Sequence, residues 1–314
     1  MRNTRVLRRG AAMASALALA AGLSACTDAA DWHASGSSTA STSTQGYDTS
    51  GIQKDDTIAA MLSSDDLSDG SLDIGASTDY APAEFLSSSG KAIGYDVDLT
   101  TAIGKVLGVP STTHTAEFDS IIAAMGSKYD LGVSSFTITT EREQSVDMIS
   151  YINVGSSFDV QAGNPKGIDT SDHLKLCGLS VGVQVGTSQE DTMKQDAEKC
   201  SAAGEATLQV RSYNTQSEAS TALAGGTIDA MYADSTVAGY AAEQTGGQLE
   251  TVGEVEDALP QGILVSKDDP TLTKAVQAAV QKLMDDGTWQ KILEAWGIED
   301  GALDKAEINP NVEE

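Results

Sequence analysis

The sequence predicts an α/β fold made of two units. Three observations carry this. Short apolar runs alternate with helical stretches, strand then helix then strand, which is the order of βαβ units and a parallel sheet. The alternation starts near Ser71 and starts again near Leu179. The 314 residues, 40% of them apolar, are enough for two cores.

The elements follow in order. "MRNTRVLRRG" is a basic leader and "AAMASALALAAGL" an apolar stretch too short for an ordinary membrane span, so residues 1–25 read as a signal peptide. "LSAC" resembles the bacterial lipobox, which implies cleavage before Cys26 and lipid on its thiol. Residues 26–51 are rich in Ser, Thr, Gly and Ala and read as a flexible tether. Residues 52–70 form a lead-in. There Asp55 or Asp56 caps a short helix whose face is Ile58, Met61 and Leu62. "SLDIGA" is a strand and "TDYAPAEF" a loop broken by Pro82. "GYDVDLTTAIGKVLG" is a helix with Val97, Ile103, Val106 and Leu107 on one face and Gly108 as its stop. "FDSIIAAMG" is a helix and "YDLGVSSFTI" a strand. The second round reads "LSVGVQVG" strand, "TSQEDTMKQDAEKC" helix, "ATLQVRSY" strand, "SEASTALAGG" helix, "TIDAMYAD" strand and "GILVSK" strand. "TLTKAVQAAVQKLMDDG" and "WQKILEAWG" close it with two helices, and residues 301–314 are an acidic tail.

Charge excludes one class of partner. The formal charge is −27, and removing residues 1–25, which hold four arginines and no acid, takes it to −31. Such a chain repels phosphate backbones, so no nucleic-acid partner is expected. Apart from Cys26, the cysteines are Cys177 and Cys200, an even pair in an exported protein. That compartment favours a disulfide over two buried thiols. There is no G-x-S-x-G elbow, no phosphate-binding glycine loop and no His/Cys cluster, so neither metal nor cofactor is expected.

"SSFTITTERE", Ser134 to Glu143, is the stretch richest in chemistry. Only Arg142 and Arg211 follow Cys26, against thirteen lysines. Thr140 and Glu143 have capping-box spacing, which predicts a helix start near Thr140 with Arg142 in its first turn. A cation there has the wrong sign for the helix dipole unless an anion joins it. Guanidinium holds a carboxylate through two parallel hydrogen bonds, which lysine cannot do. Ser135, Thr137 and Thr139 can add hydroxyl donors at the C-terminal edge of the sheet, where such folds bind ligands. A surface pairing of Arg142 with Glu141 or Glu143 explains the stretch equally well.

A resemblance separates the two. "GYDVDLTTAIGKVL", "TDYAPAEF", "FDSIIAAM", "SSFTITTER", "VGVQVGTSQED", "DAMYADS" and "DGTWQKILEAWG" together resemble, in the family's order, the solute-binding proteins of polar amino acid ABC importers, from about Ser71 to Gly297. The resemblance implies a periplasmic-binding-protein fold of type II: two α/β lobes joined by two hinge-crossing strands. Residues 71–154 and 260–300 form lobe 1, and residues 155–259 form lobe 2. It implies that Arg142 binds an α-carboxylate, with Thr137, Thr139, Thr187 and the backbone near Ser188. Asp234 takes the α-ammonium with help from Ser135, and Tyr80 and Phe118 sandwich the ligand side chain. Ser77, Gln184 and Ala233 fall where the family varies its specificity. Two departures stand out: Ala83 replaces the usual aromatic, and Gln261 the usual tyrosine.

The implied function is capture of a free amino acid and delivery to an ABC permease, from a lipid anchor on the extracytoplasmic face of the bacterial cell membrane. No mapped position besides Arg142 is basic, so a polar neutral or basic amino acid is expected. A rival on a similar fold is an enzyme like cyclohexadienyl dehydratase, with Glu84 or Asp79 as the acid.

Overall fold

The structure, a computed structural model, describes residues 46–63, 67 and 69–312. The predicted signal peptide, Cys26 and most of the tether lie outside the described residues.

Local chemistry sets the first elements. Asp55 accepts from the backbone N–H of Thr57 and Ile58 and so starts α1, Asp56–Ala59. β1, Leu72–Ala76, is buried almost throughout. The predicted loop contributes two short strands instead, β2 Asp79–Tyr80 and most of β3 Glu84–Leu86, and β4 Ala92–Ile93 beyond it completes a small antiparallel sheet. α2, Tyr95–Leu107, buries Leu99, Ala102, Ile103, Val106 and Leu107, and stops at Gly108 with a left-handed φ of 75°. β5 is Ser111–Thr115, α3 Phe118–Ala124 and β6 Leu131–Gly132.

At Arg142 the structure corrects the sequence reading. The predicted helix is a single 3-10 turn, Arg142–Gln144, with no side-chain cap bond from Glu141 before it. The hydroxyl of Thr139 accepts from the Arg142 N–H at 3.2 Å, so the turn is held one residue earlier than the Thr140 capping box predicts. The chain then enters β7, Val146–Gln161, at once.

The second round gives β8 Ser180–Gln184, α4 Ser188–Ala203, β9 Gln209–Tyr213, α5 Gln216–Ala224, β10 Ala230–Asp234, α6 Ser235–Gln244 and β11 Leu249–Ser266. α7, Pro270–Asp285, and α8, Thr288–Trp296, return to the first core. The sheet order is β5-β1-β6-β11-β7-β10-β8-β9. β1, β5 and β6 are mutually parallel, and so are β8, β9 and β10. β7 and β11 run antiparallel to each other along the join, and their pairing slips between Val252 and Glu256, Glu256 and Leu259, and Gln261 and Gly262.

Each half has its own core. One gathers β1, α2, α7 and α8 around Tyr95, Tyr151 and Trp289, whose indole N–H donates to the Tyr151 carbonyl at 2.7 Å. Burial of such a side chain contributes roughly 1.5–3 kcal/mol. The other packs β8, β10 and α4 around Phe158, Val183 and Tyr232. Cys177 and Cys200 are bonded beside this second core, with Cα atoms 5.6 Å apart. Both ends of the described chain lie on the first half. The Tyr47 N–H donates to Asp98 of α2 at 2.8 Å, and the tail pairs with β7 at Ala302–Ile152 and Ile308–Ile149.

Candidate functional site

β6 ends at the join, and Ser134 and Ser135 follow it. Ser135 has φ +51°, a left-handed conformation that costs a residue with a side chain and persists only when held. It is held from behind: its N–H donates to Asp96 Oδ2 at 3.0 Å, and the Tyr151 hydroxyl donates to the same oxygen at 3.0 Å. Ser134 Oγ donates to Glu84 Oε1 at 2.5 Å and accepts from the Ser77 N–H at 3.0 Å. The following residues lie along β11, with the Ile138 N–H on the Pro260 carbonyl and the Gly262 N–H on the Phe136 carbonyl.

This puts Arg142 at the mouth between the halves. Its guanidinium donates to the Thr137 carbonyl at 2.7 Å and, across the cleft, to the Gly186 carbonyl at 2.9 Å. It lies over Phe118 and Phe136, 5.7 and 5.5 Å from the ring centroids, and those rings are stacked 4.4 Å apart. Burial pulls the guanidinium below its ordinary pKa, while Asp191, Asp234 and Glu141 push it back up. Gly186 is needed for the approach. Its φ is +78°, and a Cβ there would stand 2.9 Å from Asp119 Cβ.

Asp234, at the end of β10, faces the same space from the second half. Its carboxylate accepts from Gln189 Nε2 at 2.8 Å and Gln261 Nε2 at 2.7 Å, and its N–H donates to the Tyr80 hydroxyl at 3.3 Å. Burial pushes its pKa up to about 6, against the pull of the two glutamines and Arg142. Thr187 caps α4 by accepting from the Glu190 N–H at 3.2 Å. The first turn of this long helix therefore aims its positive end at the cleft.

Tyr80, Phe118, Ser134, Ser135, Thr137, Arg142, Thr187, Ser188, Gln189 and Asp234 line one cavity of about 10 Å³. One water needs about 10–15 Å³, so an amino acid enters only when the halves part. Eight of the predicted residues meet here. Four do not line it: Thr139 holds the Arg142 turn, Ala233 precedes Asp234 in β10, and Ser77 and Gln184 bond each other across the cleft at 3.1 Å. Gln184 Oε1 and Gln261 Oε1 are buried without a partner. Sequence reasoning did not place Gln189, Gln261 and Ser134 in the site. For Gln261 the signal existed, as a departure from the usual tyrosine. Among the described residues, no group of three or more His, Cys, Asp or Glu could hold a metal ion.

The two carboxyl groups raised as possible acids are occupied elsewhere. Glu84 faces Ser134, and Asp79 accepts from the Ser77 hydroxyl at 2.9 Å and from the Ser217 N–H of α5 at 3.4 Å. Neither lines the cavity.

Comparison with known proteins gives concordant matches. Residues 72–299 match the profile of bacterial extracellular solute-binding proteins, family 3. The arginine-binding protein ArgT of Corynebacterium glutamicum is 36% identical over 242 residues, 76% of this chain and 78% of ArgT. An ancestral arginine-binding protein bound to arginine matches with a TM-score of 0.66 at 33% identity, over 72% of this chain and 98% of its own. An ancestral amino acid-binding protein, a precursor of cyclohexadienyl dehydratase, matches with a TM-score of 0.66 at 30% identity, over 76% of this chain and 99% of its own.

Proposed function

Because the chain belongs to the bacterial extracellular solute-binding proteins of family 3, we propose that it captures one free amino acid between its lobes. Lobe 1 comprises residues 71–154 and 260–300 in this reading, and lobe 2 residues 155–259. The single observation that carries the reading is that Arg142 and Asp234 face one small cavity from opposite sides of the join. Arg142 takes the α-carboxylate by a two-bond fork, and Asp234 the α-ammonium. The α4 amino end and the hydroxyls of Ser135, Thr137 and Ser188 complete the two ends, while Tyr80 and Phe118 flank the side chain.

The side chain is polar neutral or basic, with arginine as the first candidate. Arg142 is the lone cation among the cavity-lining residues. The similar ArgT and the ancestral arginine binder both carry arginine in their names. The closed form docks on an ABC permease, and lipid on Cys26 keeps the protein beside it on the extracytoplasmic face of the membrane. No bond is made or broken. The dehydratase-like alternative is disfavoured because neither Glu84 nor Asp79 lines the cavity.

A thermal-shift panel of the common amino acids tests this. A ligand at ~100 times its Kd adds about 2.7 kcal/mol to stability. No shift with any amino acid, or turnover of prephenate or arogenate, defeats the proposal.

A further inference from the structure

Two carboxyl groups lie side by side beneath the cavity floor. Glu84 is 0% exposed and Asp96 1%. Each has one oxygen engaged: Glu84 Oε1 by the Ser134 hydroxyl, and Asp96 Oδ2 by the Ser135 N–H and the Tyr151 hydroxyl. Glu84 Oε2 and Asp96 Oδ1 are buried and meet no other donor. The two sit together: the Asp96 N–H donates to the carbonyl of Ala83, next to Glu84, at 3.0 Å, and the neighbours Ser134 and Ser135 bond one carboxyl each. Two carboxylates cannot hydrogen-bond each other, and a single proton between the two free oxygens would satisfy both. The ionisable groups around them are Asp79 of β2, Tyr80 beside it, Tyr95 of α2, Tyr151 of β7 and Asp234 of β10. None of these is a cation, and two buried like charges in contact are heavily disfavoured.

We propose that Glu84 and Asp96 share one proton, and that this acid–carboxylate pair is the positioning element that fixes Ser134 and holds Ser135 in its left-handed conformation for ligand binding. The part about affinity rests on the amino acid-binding reading above. Glu84 carries the proton and donates it to Asp96. Asp96, kept as the carboxylate, accepts the Ser135 N–H and fixes φ at +51°. The serine hydroxyl at 134 closes the frame by linking Glu84 to the Ser77 N–H. Burial, then the Asp96 charge, raises Glu84 well above the ordinary carboxyl range. A raised acid binds its proton better in the folded state, so its contribution to stability declines as pH rises from the unfolded value toward the folded one. Loss of the proton sets two charges against each other directly under the floor.

The test is the pH profile of arginine affinity, read by calorimetry on the full chain and on Glu84→Gln. The amide of the variant still donates to Asp96 and accepts from Ser134 but cannot ionise. Wild type should lose about tenfold or more affinity relative to Glu84→Gln as pH rises through the Glu84 titration, a factor worth about 1.4 kcal/mol. The ligand's own titration is common to both proteins and cancels in the ratio. Melting curves of the ligand-free proteins separate a merely structural pair, whose ionisation lowers Tm while affinity holds. Parallel affinity profiles for the two proteins overturn the proposal. If Glu84→Gln does not fold, infrared difference spectra of wild type decide. At pH 8.5, above the values of about 7 for Asp96 and Asp159 and about 6 for Asp234, a protonated-carboxyl band should remain, and its absence overturns the shared proton. Failure of arginine to bind defeats the functional reading but leaves the infrared test of the pair intact.

Discussion

Replacing Arg142 should separate its binding role from its structural one. Arg142→Ala removes two hydrogen bonds seen in the structure, to the Thr137 and Gly186 carbonyls, and in the complex also the fork on the α-carboxylate. Removing one partner of a buried charge pair typically costs 3–5 kcal/mol, because the other charge stays desolvated. At about 1.4 kcal/mol per tenfold, affinity should fall by roughly a hundredfold to a few thousandfold. Arg142→Lys restores charge without the planar fork and without the stack on Phe118 and Phe136, so it should recover less than about a tenth of the loss. Ligand-free stability changes on a different scale. Loss of the bond to Thr137 should cost about 1–3 kcal/mol, a few degrees in Tm for a chain of this size. Titration calorimetry with arginine and melting curves of the free variants measure both. Wild-type affinity in Arg142→Ala, with only a lowered Tm, would falsify the assignment.

Four further outcomes are expected, the first three from the geometry and the last from the lipobox-like sequence before Cys26. Asp234 must be a carboxylate to hold an ammonium, and its pKa is raised to about 6, so its contribution to affinity should be complete above neutrality and be lost as pH drops through that value. Gln261→Leu removes one donor and should move that fall to higher pH, and an unmoved midpoint would show that Gln261 does not tune Asp234. Breaking the Cys177–Cys200 bond, which spans a sequence separation of 23, should lower stability by roughly 3–4 kcal/mol in the chain-entropy model. An unchanged denaturation midpoint after reduction speaks against it. Cys26→Ala should release the protein from the membrane fraction, and retention there would refute a lipid anchor at Cys26.

Two kinds of element were legible in the sequence: helices with one wet and one dry face, and short apolar strands between breakers. α2 and α7 show the 3.6-residue stripe, and β8 and β10 are short apolar runs after clear breakers. β7 was not delimited because it has no alternation to detect. Nearly all of its residues are buried, and Ser150, Asn153, Ser156, Ser157 and Asp159 interrupt the apolar run. α6, "STVAGYAAEQ", is mostly small residues and carries a weak stripe. In the candidate site, Arg142 stood out as a cation among hydroxyls where a strand ends, and Asp234 entered only through the family resemblance. Gln189 and the Glu84–Asp96 pair left no such sign, and Gln261 showed only as a departure from the usual tyrosine. Their meaning comes from partners between 27 and 50 positions away in the sequence, and periodicity is silent about such partners.

The tight cavity also has a kinetic meaning. A chamber with space for about one water admits nothing while shut. Entry and escape therefore wait on the hinge, where β11 slips register against β7 between Val252 and Leu259. Asp257 there has φ +46° and is a natural point for the strand to turn. Residence time is then set by how often the strands flex. Stiffening the bulge should slow arrival and departure together and leave equilibrium affinity nearly unchanged. In stopped-flow mixing, the observed rate should level off at high arginine concentration, at the frequency with which the closed protein opens. A rate that climbs linearly to the diffusion limit would mean that the chamber opens too fast to gate anything.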